Sequence, residues 1–215
     1  MSETLLINEI FHSIQGESSY AGSPCVFVRL TGCNLRCAWC DTTYAFEDGQ
    51  PMTLGQVIAA IQQYNCPLVE ITGGEPLLQP TVLPLMTRLC DLGKTVLLET
   101  NGSQDVAPVD ARVVKIVDFK CPSSGEADKN RFANIRHLDK KDEVKFVIAD
   151  RADYDWAKQT ASEHRLTERC TVLFSPVWEI MPARTLADWI IADRLPVRLQ
   201  TQWHKHIWGE DARGV

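Results

Sequence analysis

Short runs rich in Val, Ile, Leu and Phe recur along the chain at residues 25–30, 68–71, 95–98, 113–119, 144–148, 171–174 and 197–199. Each reads as a strand covered on both faces of a parallel sheet. A further run at residues 5–11 predicts an additional strand at the sheet edge. Between these runs the apolar positions change period. Thr53 and Gln56 frame a capping box, and Leu54, Val57, Ile58 and Ile61 then follow at the spacing of one helix face. Residues 81–92 and 154–164 predict further helices, and Leu186, Trp189 and Ile190 place an apolar stripe on a last one. Strands alternating with helices predict βαβ units and a mostly parallel sheet. The chain has 215 residues, short of the roughly 250 that a complete eight-unit barrel uses. The expected fold is therefore α/β: a partial, open (β/α)6-type TIM barrel forming one domain over residues 1–215, with a flat doubly wound sheet as the second reading. No internal repeat, linker or composition break divides it.

Composition narrows the class without naming a function. A hydrophobic fraction of 45% with 23% charged residues is that of a globular protein and excludes disorder or collagen-like repeats. The formal charge is −6 and no Lys/Arg-rich block occurs, so no nucleic-acid partner is expected. No apolar stretch approaches the roughly 18 residues of a spanning helix, and residues 1–9 lack the basic start of a signal peptide. Eight cysteines without a secretion signal are expected to be reduced thiols of a cytoplasmic protein.

Three of those cysteines carry chemistry. Cys33, Cys37 and Cys40 follow the strand at 25–30 in a C-x3-C-x2-C spacing, close enough to converge on one metal centre from a single loop. A structural zinc site wants four ligands, and no fourth Cys or His lies near. Three thiolates on a four-iron cluster leave one iron for a reactant. Cys25, Cys66, Cys90, Cys121 and Cys170 read as small buried hydrophobes, with Cys121 the nearest of them to the site. The triplet Gly93-Lys94-Thr95 is no phosphate loop, because Arg88 stands where its first glycine would be. His204 and His206 alternate along a segment that reads as extended, so they point to opposite faces.

Position adds a second argument. The cysteines follow the first strand, Thr72-Gly73-Gly74-Glu75-Pro76 the second, and Glu99-Thr100-Asn101-Gly102 ends the third. Asp118-Phe119-Lys120 closes the fourth, and Ser175-Pro176-Val177-Trp178 follows the sixth. Every polar or glycine-rich cluster thus falls at the C-terminal end of a strand, where barrel enzymes build their active sites. Gly73 and Gly74 let backbone approach a ligand closely, and Glu75 offers a carboxylate to an ammonium group such as that of methionine.

The run RLTGCNLRCAWCDT at 29–42 resembles the cluster loop of the radical S-adenosylmethionine superfamily, in which an aromatic residue, here Trp39, precedes the third cysteine. The segment at 72–76 resembles that superfamily's GGEP motif. Within it, residues 8–17 (NEIFHSIQGE), with 26–30, the ETNG run and His204-Lys205, resemble the 7-carboxy-7-deazaguanine synthase family, and the match runs from about residue 8 to 205. The resemblance implies a lyase that rearranges a 6-carboxy-tetrahydropterin to 7-carboxy-7-deazaguanine with loss of ammonia, through a 5′-deoxyadenosyl radical.

It also implies residue roles. Cys33, Cys37 and Cys40 would hold a 4Fe-4S cluster. Trp39, Cys40, Asp41, Gly74, Glu75, Asp118, Phe119, Lys120, Ser175, Pro176, Val177 and Trp178 would line the S-adenosylmethionine site. Ile14, Gln15, Gly16, Arg29 and Thr72 would hold the pterin, Arg29 being suited to grip its carboxylate with a planar fork. Thr42 would contact Mg²⁺, most of whose ligands must then be substrate oxygens and water. An external flavodoxin- or ferredoxin-like reductant and a homodimer are implied as partners. Ser18 departs from the family's frequent glycine, Asp118-Phe119-Lys120 from its Ser-Pro-Lys run, and ten residues follow Lys205. The alternative reading is an activating enzyme for a glycyl-radical protein, which shares the cysteine spacing but lacks the IQGE segment.

Overall fold

Strand β1 (Thr4–Ile14) lies antiparallel to β2 (Pro24–Leu30) on one side and to β3 (Gln50–Thr53) on the other. From β2 onward every pairing is parallel, through β4 (Leu68–Gly73), β5 (Thr95–Thr100), β6 (Val114–Asp118), β7 (Glu143–Ile148), β8 (Thr171–Pro176) and β9 (Arg198–Leu199). The order is β3-β1-β2-β4-β5-β6-β7-β8-β9 in one open sheet. Strand order never reverses after β2, so the chain is wound in one direction as in a barrel, and the doubly wound reading, which requires a reversal, does not hold. The computed structural model describes residues 4–210 and 212–215.

The run at 5–11 is not the edge strand that its position suggests. It is an inner strand, and β3 forms the edge. Pro51 in β3 lacks an N–H, a defect tolerated at an edge and not inside a sheet.

Helices α1 (Leu54–Gln62), α2 (Val82–Asp91), α3 (Arg151–Glu163), α4 (Leu166–Arg169), α5 (Ala183–Ala192) and α6 (Trp203–Trp208) complete the chain. The capping box forms as expected: Gln56 N–H donates to Thr53 Oγ1 at 3.3 Å, and Thr53 N–H to Gln56 Oε1 at 2.8 Å. Leu54, Val57 and Ile61 are buried on the inner face of α1. Two of the crossovers between parallel strands carry no α-helix among the described residues. The β5–β6 link is irregular, and the β6–β7 link holds only 3-10 turns at Pro122–Ser124, Ala127–Lys129 and Phe132–His137. Gly102 and Gly125, at φ +74° and +78°, together with Pro108 and Pro122, break any longer helix there. Among the described residues no helix is long and apolar enough to cross a membrane.

The period of two along the strands sorts side chains between two faces. Val26, Val28, Val69 and Ile71 pack in the core, whereas Arg29, Glu70, Thr72, Glu99, Asp118, Lys145 and Ser175 face one interior cavity. The concave side of the sheet is polar.

Candidate active site

Cys33, Cys37 and Cys40 sit on the loop leaving β2, each partly exposed and none disulfide-bonded. Neighbouring loops hold this segment in place. Ala38 N–H donates to Ser124 O at 3.0 Å and Arg36 N–H to Glu126 Oε1 at 2.6 Å, which docks the loop on the segment after β6. On the opposite side Glu75 N–H donates to Gly32 O at 2.8 Å. A Cβ on Gly74 would lie 2.2 Å from Gly32 O and 2.7 Å from Cys33 Cβ, so only glycine lets the β4 exit pass this close to the thiols. Burial pushes the Cys37 and Cys40 thiols up, while the Lys120 ammonium pulls both down. Among the described residues no three His, Cys, Asp or Glu side chains are arranged for a single metal ion. Three thiols opening from one loop onto one cavity suit a cluster in which each takes its own iron.

The cavity, about 610 Å³, lies within the range of small-molecule sites. Lys145 stands at its base. Its ammonium is 3.0 Å from Glu17 Oε2, bonded to Glu99 Oε1, and 3.5 Å from Asp118 Oδ2. Lys120 reaches the same Asp118 oxygen at 2.9 Å. Burial raises the Glu17 carboxyl, but Lys145 and His204 outweigh it and hold it below its ordinary value. Burial raises Glu99 to about 7 against the pull of Lys145. Glu70, which accepts from Gln15 Nε2, is pushed up to about 8, by burial first and then by Glu99 and Glu17. The folded chain thus keeps a proton on Glu70 that the unfolded chain releases, and stability falls as pH rises from about 4.5 to 8. Glu70→Gln is expected to shallow that fall, as measured by thermal unfolding at pH 5.5 and 8. An unchanged slope would assign it to other groups.

The last turn of the chain closes the site. Residues 203–208 are a helix, α6, and not the extended segment expected from sequence. Its short aromatic and histidine-rich run gains its geometry from docking: Trp203 N–H donates to Gly16 O at 3.0 Å, and Lys205 Nζ meets Asp41 Oδ2 at 2.8 Å. His204 faces the cavity, and a Cβ on Gly16 would strike its Nδ1 at 2.2 Å. His206 packs against the Trp178 ring at 4.9 Å. Desolvation raises the Asp41 carboxyl, but Lys205, Gln202 and Thr42 together hold it well below the usual range. Residues 212–215 line the cavity, and the Arg213 guanidinium lies 4.0 Å from the Tyr44 ring centre.

The sequence-predicted residues mostly converge here. Cys33, Cys37, Trp39, Cys40, Asp41, Thr42, Gly74, Asp118 and Lys120 line the cavity on the thiol side, with Ser175, Pro176, Val177 and Trp178. Ile14, Gln15, Gly16, Arg29 and Thr72 line it on the other. Arg29 also pairs with Glu9 through Nε at 2.7 Å. Two side chains go elsewhere. Glu75 is fully buried and accepts from Leu77 N–H, Thr100 Oγ1–H and Asn101 N–H, so it caps a 3-10 turn and cannot meet a methionine ammonium. Phe119 is also buried, its ring packed on Phe132 and Phe146. Cys121 is buried and desolvated, its thiol far above its ordinary value, so it is inert. Ser18 adopts φ +62°, the conformation its expected glycine would favour, and its Oγ accepts from Tyr20 N–H.

Site residues without an assigned role from sequence include Glu17, Glu70, Glu99, Lys145, Gln202, His204 and Lys205. The readable signal for two of them was a charge inside an apolar strand: Glu70 in LVEITG and Lys145 in EVKFVI.

Residues 27–117 match the radical SAM superfamily. The chain is 49% identical to the 7-carboxy-7-deazaguanine synthase of Chlorobaculum tepidum, covering 98% of this chain and 97% of that one. It is 48% identical to the protein of that name from Koribacter versatilis, over 97% and 99% of the two chains, and 39% identical to that of Thermoplasma acidophilum, over 98% and 100%. The crystal structure of QueE from Escherichia coli shares the fold, with a TM-score of 0.79 at 24% identity over 94% of this chain and 95% of that one.

Proposed function

Because the chain belongs to the 7-carboxy-7-deazaguanine synthase family of the radical S-adenosylmethionine superfamily, we propose that it rearranges a 6-carboxy-tetrahydropterin to 7-carboxy-7-deazaguanine with loss of ammonia, in 7-deazapurine (queuosine-type) biosynthesis. The observation that carries this reading is one cavity shared by the three thiols and by Arg29, Gln15 and Thr72. Held by Cys33, Cys37 and Cys40, a 4Fe-4S cluster with S-adenosylmethionine supplies one-electron cleavage and hydrogen abstraction. The chain's own residues bind and orient. Trp39 to Asp41, Gly74, Asp118, Lys120 and residues 175–178 surround the S-adenosylmethionine. Arg29 grips the substrate carboxylate through its guanidinium, and Ile14 to Gly16 with Thr72 hold the pterin edges. Glu99, near 7, is a carboxyl able to give or take a proton at neutral pH when the amine departs. Anaerobic incubation with the carboxypterin, S-adenosylmethionine and a reductant tests the reading: 7-carboxy-7-deazaguanine is expected, and its absence with an intact cluster would end the reading.

The glycyl-radical activase reading is not favoured. Relatives aligned over nearly the whole chain carry the synthase name, and a cavity bordered by the chain's own residues 212–215 suits a small molecule better than a protein loop.

Mg²⁺ belongs at Thr42 in this proposal. Its hydroxyl donates to Asp41 Oδ1 at 3.0 Å, which puts two oxygens side by side and leaves most of an octahedron to substrate and water. Thr42→Ala is expected to keep the cluster absorption and to change the dependence of rate on Mg²⁺. An unchanged Mg²⁺ profile would remove Thr42 from the metal.

The single domain is proposed to work in the cytoplasm as a homodimer, reduced by a flavodoxin- or ferredoxin-like carrier. Trp203, Ile207 and Trp208 present exposed apolar surface on one short helix, which supports a covered interface. Sedimentation at micromolar concentration is expected to show twice the 24.2 kDa chain mass, and a monomer alone would count against the dimer.

A further inference from the structure

Asn101 is buried beside the first cysteine of the loop, and the hydrogen bonds around it leave its carboxamide a single orientation. Its Oδ1 accepts from the Ser103 backbone N–H at 3.0 Å and from Ser103 Oγ at 2.7 Å. A backbone N–H can only donate, so the oxygen faces Ser103 and the NH₂ group faces the other way. That NH₂ group donates to Asn34 Oδ1 at 3.1 Å and lies 3.8 Å from Cys33 Sγ. Asn34 is fixed in turn, because its own Nδ2 donates to Ser103 Oγ at 2.9 Å. The backbone of Asn101 is anchored from below by Glu75, whose Oε2 accepts its N–H at 2.7 Å. Cys33 Sγ also accepts from Leu35 N–H at 3.4 Å. Among the described residues no other side-chain amide or hydroxyl donates to a thiol of this loop.

We propose that Asn101 is a positioning residue for electron transfer: its carboxamide, oriented by Ser103 and anchored by Glu75, donates to the Cys33 thiolate and raises the reduction potential of the cluster held there. The inference rests on the cluster reading above. The step concerned is a one-electron reduction, in which the cluster gains one electron from a low-potential carrier and no bond is made or broken. The reduced cluster carries one more negative charge, spread in part over its thiolate sulfurs. An N–H aimed at one of those sulfurs therefore stabilises the reduced state more than the oxidised one. Ser103 and Asn34 hold the amide in place before the electron arrives, so the bond needs no reorganisation at that moment. Glu75 thereby acquires a part in the chemistry without touching any reactant.

The test is a redox titration of the reconstituted holoenzyme under anaerobic conditions, with dithionite and mediator dyes, read by the electron paramagnetic resonance of the reduced cluster. Asn101→Leu is expected to lower the ratio of reduced to oxidised cluster at fixed poise by roughly tenfold, which is about 59 mV for a one-electron couple. Asn101→Asp keeps the Ser103 contact and adds a negative charge, so its shift is larger in the same direction. Gln104→Ala, beside the network but donating to no sulfur, is expected to leave the potential where it is. A full cluster with an unchanged potential in Asn101→Leu would overturn the inference and leave the cluster reading intact, whereas failure of the unaltered chain to hold a four-iron cluster would end that reading. Should the Asn101 variants lose the cluster, the unaltered protein labelled with ¹⁵N at the asparagine amides decides. Its reduced cluster must show a ¹⁵N coupling that persists in Asn34→Asp, and absence of that coupling would overturn the inference equally.

Discussion

Cys37→Ala is expected to reduce S-adenosylmethionine cleavage to background, together with the visible absorption of the cluster. The three thiols are supplied by one loop and face one cavity. Removing any one leaves a second iron without a protein ligand, and among the described residues no other cysteine lines the cavity to replace it. Cys25 and Cys66, the nearest others in sequence, are buried in the core. The effect should be confined to chemistry. Cys37 is partly exposed and packs at the loop surface, so thermal unfolding of the metal-free variant should match that of the metal-free parent within about 0.5 kcal/mol, as for substitutions away from core features. Iron analysis and cleavage assayed on the same sample separate the outcomes. Cleavage surviving in Cys37→Ala would contradict the radical mechanism as a whole.

Lys145→Met is expected to affect both stability and activity. Its ammonium, 9% exposed at the side chain, is the cation shared by Glu17, Glu99 and Asp118. Breaking a buried ion pair by removing one partner costs about 3–5 kcal/mol, which for a chain of this length lowers the melting temperature by roughly 10 °C. The pH dependence identifies the cause. Without Lys145 the Glu99 carboxyl rises further in the folded state and Glu17 loses the cation that holds it below its ordinary value, so the folded variant binds more protons than the parent above about pH 4.5. Its stability then declines as pH rises. The difference from the parent should be largest near pH 8 and shrink toward pH 5.5. A constant difference across that range would mean that lost packing, not charge, dominates. Turnover should fall with it, because the same carboxylates border the substrate cavity.

What sequence reveals here follows from how local each signal is. The apolar runs and the Thr53 capping box act over a few residues, and both survive in the structure. The cysteine loop is legible because its spacing is itself the chemistry. Edge strand β3 was hidden because it is four residues long and contains Pro51, which argues against a strand anywhere but an edge. Helix α6 was hidden for a different reason. Six residues with two tryptophans and two histidines have no helical bias of their own, and contacts with Gly16 and Asp41, far away in sequence, fix their shape. From its motif Glu75 reads as a ligand. An acidic residue just before Pro76 at a helical start is also the pattern of an N-cap, and that local reading predicts the inward side chain. The charges at Glu70, Glu99 and Lys145 were visible, but their meaning required knowing which face of the strand is concave.

The seam between the first loop and the last helix has a consequence for synthesis of the protein. Ser18 bonds to Gln200, 182 residues further along the chain, and Lys205 to Asp41 across 164 residues. Contacts of such sequence separation close late in folding, since the intervening chain must be ordered first. The cysteine loop is therefore translated long before residues 200–205, which pack against its neighbourhood, and it stays uncovered on that side until they are made. The same seam makes the two ends of the chain unequal for engineering. Residues added beyond Val215 would extend from a position that borders the cavity, whereas Thr4, where β1 starts, pairs with Thr53 of the edge strand β3.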